Sequence, residues 1–203
     1  MNTMRRIAAI AALIIGLPGS ALAATAVGTV DVHIRTGPGP EFPVVDVIEE
    51  DASVELVGCL ATSKWCQVKT QETLGWAYGD YLATTEGVVI GDTWPPAGIP
   101  AAAYTQPGGA AYVPVRPAGR LAAPARKAIP APRFDPPPPT VQTYVIQNRR
   151  APVILDGEVV VGAAVPDNVE LYDVPDYEYQ YTYVNQVPVL VQPDSRRVVY
   201  VYR

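Results

Sequence analysis

Two cysteines, one histidine and a small set of aromatic residues are the side chains from which chemistry must be argued. Cys59 and Cys66 stand seven positions apart on either side of Ala61-Thr62-Ser63, a turn-like run. A pair with that spacing, and no Cys-x-x-Cys, reads more simply as a disulfide across a β-hairpin than as a metal site or redox centre. If the two face each other, Val57 pairs with Val68 and all four point into the core. Leu60, Trp65, Gln67 and Lys69 then lie on the other face. A strict two-residue turn would place the cysteines at a hydrogen-bonded pair, so a longer loop is expected. Trp65, Trp76, Tyr78 and Tyr81 offer large apolar area with a polar handle, suited to stacking on a sugar or gripping a peptide, although core packing is the commoner use of such residues. Arg35 suits either an acidic ligand group or a structural bond beneath the glycine-proline turn that follows it.

A catalytic constellation is not predicted. His33, the single histidine, lies in an apolar alternation, and Glu49-Glu50-Asp51 occupies a turn where charge is ordinary. No nucleophile with a base, no metal set and no phosphate loop opening a helix can be assembled, so neither a catalytic residue nor a metal or cofactor is assigned.

The elements that position these residues are strands. Val30, Val32 and Ile34 alternate into Gly37-Pro38-Gly39-Pro40. Short extended runs follow at 43–45, 54–57, 65–70 and 74–78, the spacing of a small barrel or sandwich. Val32-His33-Ile34-Arg35-Thr36-Gly37-Pro38-Gly39 resembles the first motif of the bacterial SH3-like domain, with His33 where that family usually has Asn. Phe42-Pro43-Val44, Gly75-Trp76 and Tyr81-Leu82 are similar to its later motifs, in the same order. The resemblance covers about residues 26–83. It implies a small SH3-like β-barrel and a non-catalytic role: cell-wall attachment, protein docking or spacing beside an enzyme.

Residues 1–23 read as a signal peptide, with basic Arg5-Arg6, an apolar run over 7–17 and Ala21-Leu22-Ala23 before the cleavage point. The apolar run is too short to span a bilayer and no cysteine follows the cleavage site. The mature protein is therefore expected in the periplasm or secreted, without a transmembrane anchor. Its charge, 13 basic against 20 acidic residues once Arg5 and Arg6 are removed, is −7 with no basic stripe, which disfavours nucleic acid.

Three segments follow the leader: residues 24–85 as the SH3-like domain, 86–141 as a Pro/Ala/Gly-rich disordered linker holding 13 of the 22 prolines, and 142–203 as an antiparallel β-domain. In the last, Asp156-Gly157 predicts a hairpin between 154–155 and 158–161. Tyr177, Tyr179, Tyr181 and Tyr183 form a ladder on one face. A turn at Asn185-Gln186 brings Leu190 opposite Tyr181, and a turn over 193–196 brings Val199 opposite Leu190. The other face carries Val189, Val191, Val198, Tyr200 and Tyr202, too apolar for solvent, so either the preceding strands or a partner cover it. This segment resembles a domain of unknown function at the C-terminus of exported alphaproteobacterial proteins, which brings no known chemistry.

The expected protein is mainly β and non-enzymatic: an exported envelope-binding or adaptor protein. Its partner is peptidoglycan or an envelope protein, met through Trp65, Trp76, Tyr78, Tyr81 and Arg35. The alternative is an assembly protein that forms homo-oligomers or joins a partner through the C-terminal domain.

Overall fold

A computed structural model describes residues 24–109, 112, 115–122 and 136–202. Residues 1–23, read from the sequence as a signal peptide, lie outside the described residues. Mainly β in content, the chain forms two antiparallel sheets.

The first sheet has seven strands: β1 (Ala24–Gly28), β2 (Val32–Arg35), β3 (Val44–Ile48), β4 (Ser53–Cys59), β5 (Trp65–Lys69), β6 (Leu74–Tyr78) and β7 (Leu82–Thr84), in the order β3-β2-β6-β5-β4-β1-β7. The valines, isoleucines and leucines of alternate positions make its interior, including Val32, Ile34, Leu56, Val68 and Leu82. In the β4–β5 hairpin Cys59 pairs with Cys66 and the two are disulfide-bonded. Leu60 N–H donates to Trp65 O at 3.0 Å, so the loop is indeed longer than two residues. The expected Val57–Val68 pair does not form. A bulge at Val57 sets Leu56 opposite Val68, because the bulged strand gains one residue over its partner.

The second sheet has the order β11-β10-β9-β8, from β8 (Tyr172–Asp173), β9 (Gln180–Val184), β10 (Val187–Gln192) and β11 (Arg197–Val201). Asn185 and Gln186 both take positive φ, 51° and 68°, the two-residue turn that fits a right-twisted hairpin, and Leu190 sits opposite Tyr181 as predicted. At the next turn the expectation fails by one residue. Tyr200, not Val199, faces Leu190, because β11 bulges after Val198. The bulge shifts the alternation, so Val199, Tyr200 and Tyr202 pack with Tyr181 and Tyr183 while Val201 stays with the opposite face.

Both faces of this sheet are covered from within the chain. The tyrosine face packs on α1 (Pro139–Gln147), which presents Val141, Tyr144 and Val145 at i, i+3 and i+4. Proline at the first helical position starts it, a signal masked in the sequence by the proline run before it. The valine face packs against Val159, Val160, Ala163, Val165 and Val169 and is continuous with the interior of the first sheet. The predicted hairpin at Asp156-Gly157 turns, with Gly157 at φ 100°, but builds no ladder. Its Leu155 amide and Gly157 carbonyl bond the Asn185 side chain instead.

The stretch 86–141 links the two sheets and places several of its described residues against the core. Ile90, Trp94, Ile99, Tyr104 and Leu121 pack onto the core, and Ala101 bridges Cys59. These apolar residues are spaced without period, so each fills a separate gap and none announces an element. Residues 110–111, 113–114 and 123–135 of the expected linker lie outside the described residues.

Candidate functional site

The alternation of β2 sends Val32 and Ile34 inward and should leave His33 and Arg35 in water. All four are buried, because the C-terminal domain covers the second face. Glu158, next to the Asp156-Gly157 turn, enters with its carboxylate fully buried. It accepts from Arg35 Nε at 2.6 Å and Nη2 at 2.7 Å, the two-pronged fit of guanidinium to carboxylate, and contacts His33 Nδ1 at 3.1 Å. Arg35 Nη1 donates to the carbonyls of Phe42 at 2.7 Å, Pro40 at 3.2 Å and Asn185 at 3.2 Å. Burial raises the Glu158 pKa, but the charge and hydrogen bonds of Arg35, with those of His33, outweigh it and hold the carboxyl down at about 2. Arg35 is thus engaged on every side by protein. It joins the glycine-proline turn to the second domain and is not a ligand-facing cation.

The four aromatics singled out from the sequence are also interior: Trp65 is 4% exposed, Trp76 3%, Tyr78 4% and Tyr81 5%. Trp65, which hairpin alternation sends outward, meets Tyr78 edge-on at 5.4 Å. Tyr78 in turn meets Tyr81 at 6.1 Å. Trp76 is covered by Tyr104, edge-on at 5.7 Å, from the segment after the barrel. Tyr104 comes from a stretch with no periodic signal, which is why its covering role was not readable.

Two clefts remain. The first, about 320 Å³, is lined by Lys64, Tyr78, Asp80, Tyr81, Arg120, Leu121, Ala122 and Gly157. Lys64 Nζ donates to Asp80 Oδ1 at 2.7 Å and to Gly91 O at 3.0 Å, and Arg120 Nε lies 3.3 Å from Asp156 Oδ2. Burial pushes the Tyr78 phenol up to about 12 against the opposing hydrogen bond with Arg120, so it stays protonated as a donor. Cations, carboxylates and phenol rings meet here without a histidine, cysteine or serine among the lining residues. Such a set can hydrogen-bond a polyhydroxyl or zwitterionic ligand. Lys64 and Asp80 were not singled out from the sequence, since they lie on separate elements.

The second cleft, about 460 Å³, follows the edge strand β3 at the seam between the domains. Pro43, Val44, Val45 and Val47 make one wall and Val187, Pro188 and Tyr202 the other. Asp46 Oδ1 accepts the Val47 amide at 2.8 Å and Val45 is bulged, both of which blunt the edge against strand addition.

Among the described residues no group of three or more histidine, cysteine, aspartate or glutamate side chains is placed to hold a metal, and no helix is long and apolar enough to cross a membrane. Residues 30–83 match the family model of the bacterial SH3 domain, and residues 144–203 match that of a domain of unknown function, DUF1236. No curated protein and no solved structure matches the chain.

Proposed function

From a chain that carries a bacterial SH3 domain followed by a DUF1236 domain, we propose an exported, non-catalytic binding protein of the cell envelope whose ligand is peptidoglycan. A binding role is what the SH3 domain supports. The observation that carries the finer reading is the polar cleft, where Tyr78 and Tyr81 meet Lys64, Asp80 and Arg120. Peptidoglycan presents sugar hydroxyls together with stem-peptide ammonium and carboxylate groups. Both charge signs in the cleft find a complement in it, and the phenol rings supply an apolar edge for a sugar. The disulfide of Cys59 and Cys66 fits an oxidising compartment, in keeping with export.

Co-sedimentation of the mature, oxidised protein with purified sacculi tests this. Retention is expected, falling several-fold for Arg120→Ala and Lys64→Ala while the urea midpoint moves little, since these charges are partly exposed. Absence of the protein from the pellet would reject peptidoglycan as ligand and leave an envelope protein as partner. Trp65→Ala is not a suitable probe of binding, because the ring is buried and its removal opens the core. Self-association through the C-terminal sheet loses its motive, since the chain covers both apolar faces itself.

A further inference from the structure

Past Ile99 the chain crosses the SH3 domain as a strap. Cys59 N–H donates to Pro100 O at 3.0 Å and Ala102 N–H to Cys59 O at 2.8 Å, and Gly58 leaves room for this, because a Cβ there would stand 2.8 Å from Pro100 O. Beyond Ala102, among the described residues, no backbone hydrogen bond ties the strap to the barrel. Side chains hold it. The Tyr104 ring meets Phe42 at 5.6 Å and Trp76 at 5.7 Å, and Tyr112 meets Phe42 at 5.4 Å and Tyr104 at 5.6 Å, in edge-on or tilted contacts. The Tyr112 hydroxyl donates to Glu41 Oε1.

This platform is built by the turn itself. Phe42 lies where a Cβ on Gly37 would be, 2.5 Å from its ring, and Gly39 leaves the space taken by the Tyr112 hydroxyl and Glu41. The fit is incomplete in one respect: Glu41 Oε2 is buried and, among the described residues, has no hydrogen-bond donor. A carboxylate oxygen without a donor in a buried place is an unfavourable arrangement that a cation would relieve. The SH3 segment cannot supply one. Residues 24–85 hold nine acidic and three basic residues, and Arg35, Lys64 and Lys69 are paired with Glu158, Asp80 and Glu55.

We infer that the Phe42–Trp76–Glu41 platform is a docking surface for an extended peptide carrying an aromatic ring beside a lysine or arginine, and that the strap over residues 100–109, together with Tyr112, is its resident competitor. The strap supplies the rings and half of what Glu41 requires. A partner segment with a cation next to the ring supplies both, so it displaces the strap and leaves the barrel intact. A site occupied within its own chain binds more weakly by the fraction of time it is open, so loosening the strap must raise apparent affinity. This surface is separate from the polar cleft, and neither inference depends on the other.

The test uses the full mature protein and two synthetic peptides with the sequence of residues 100–112, one unmodified and one carrying Thr105→Lys and Gln106→Lys, titrated by calorimetry. The lysine peptide is expected to bind at least tenfold more tightly than the unmodified one. Tyr104→Ala with Tyr112→Ala in the protein should tighten it by a further tenfold or more, and Glu41→Gln should erase the preference for lysine. Failure of the lysine peptide to bind the double variant, equal affinity for wild type and double variant, or a lysine preference that survives Glu41→Gln would each overturn the inference. Hydrogen exchange on the unaltered protein tests it without substitutions. The Ala102 amide should exchange at least a hundredfold faster than the amides of β5, and equal protection would make the strap a fixed part of the fold.

Discussion

Glu158→Gln removes one charge from a buried pair and keeps the shape of the side chain. In the native protein the carboxylate is held at a pKa of about 2 against an ordinary 4.5, a difference that corresponds to about 3 kcal/mol of stability from the ionised form. Loss of one partner of a buried ion pair costs about 3–5 kcal/mol by the mutational record, because the remaining charge is stranded. The two routes agree in scale. The stranded group would be Arg35, whose Nη1 still has the carbonyls of Pro40, Phe42 and Asn185, while the glutamine oxygen can accept from only one of Nε and Nη2 and the other faces the amide NH2. The variant is therefore expected to lose about 3 kcal/mol at neutral pH in urea unfolding followed by tryptophan fluorescence. The pH dependence supplies a second reading. A carboxyl whose folded pKa lies below its unfolded value contributes fully above about 4.5, and the contribution disappears as pH falls from there towards 2. Wild type should lose stability across that window, and Glu158→Gln should lack this part of the acid limb. A variant within about 1 kcal/mol of wild type, or one with the same acid limb, would refute the claim that Glu158 clamps the domains as an ionised group.

Cys59→Ser with Cys66→Ser should lower stability by about 2.5 kcal/mol, the chain-entropy value for so short a loop, read as the difference in urea midpoint between oxidised wild type and variant. Gly58→Ala should displace Pro100 and cost about 2 kcal/mol for the two strap hydrogen bonds, with a change in Trp76 emission as Tyr104 withdraws. Val145→Ala removes two methyl groups from a fully buried contact between α1 and the tyrosine sheet, for a loss of about 1.5–3 kcal/mol in thermal or urea unfolding. Light scattering of the protein spanning residues 24–203 should report a monomer at high concentration, since the C-terminal sheet has both faces covered.

What was readable in the sequence was local. The alternation over Val30, Val32 and Ile34 ended in a turn because Gly-Pro-Gly-Pro permits little else, the cysteine spacing specified a hairpin with an ample loop, and Asn185-Gln186 fixed the Leu190–Tyr181 register. What was not readable depended on contacts across more than a hundred residues. Arg35 and His33 carry the polar half of an alternating strand, and nothing near them in sequence announces a carboxylate at position 158. The bulges at Val57 and after Val198 shift register by one residue for reasons of packing, so a strict two-residue period misplaces Tyr200 and Tyr202. Trp65 points as the alternation says, but the face it joins is covered, and cover is a tertiary property. Lys64, Asp80 and Arg120 became a cleft only because Arg120 is carried back to the barrel by a proline-rich stretch that has no periodic pattern.

The buried clamp also explains what the C-terminal domain contributes to the SH3 domain. Arg35 Nη1 holds the carbonyls of Pro40 and Phe42, which lie on either side of Glu41, so one guanidinium fixes the backbone that carries the docking platform. The same group is held in place by Glu158 and by the Asn185 carbonyl, and the Gln186 amide donates to the Glu41 carbonyl from the same β9–β10 turn. The turn is therefore held at three successive residues, at 41 by Gln186 of the second domain and at 40 and 42 by Arg35, which the second domain keeps in place. An SH3 barrel cut away after β7 would keep its strands and its disulfide but lose the brace, leaving Arg35 to solvent and Glu41 and Phe42 on an unsupported loop. Peptide affinity at the platform should then fall further in Glu158→Gln than stability alone accounts for. Comparing the two at a urea concentration where both proteins remain folded separates bracing of the turn from general loss of structure.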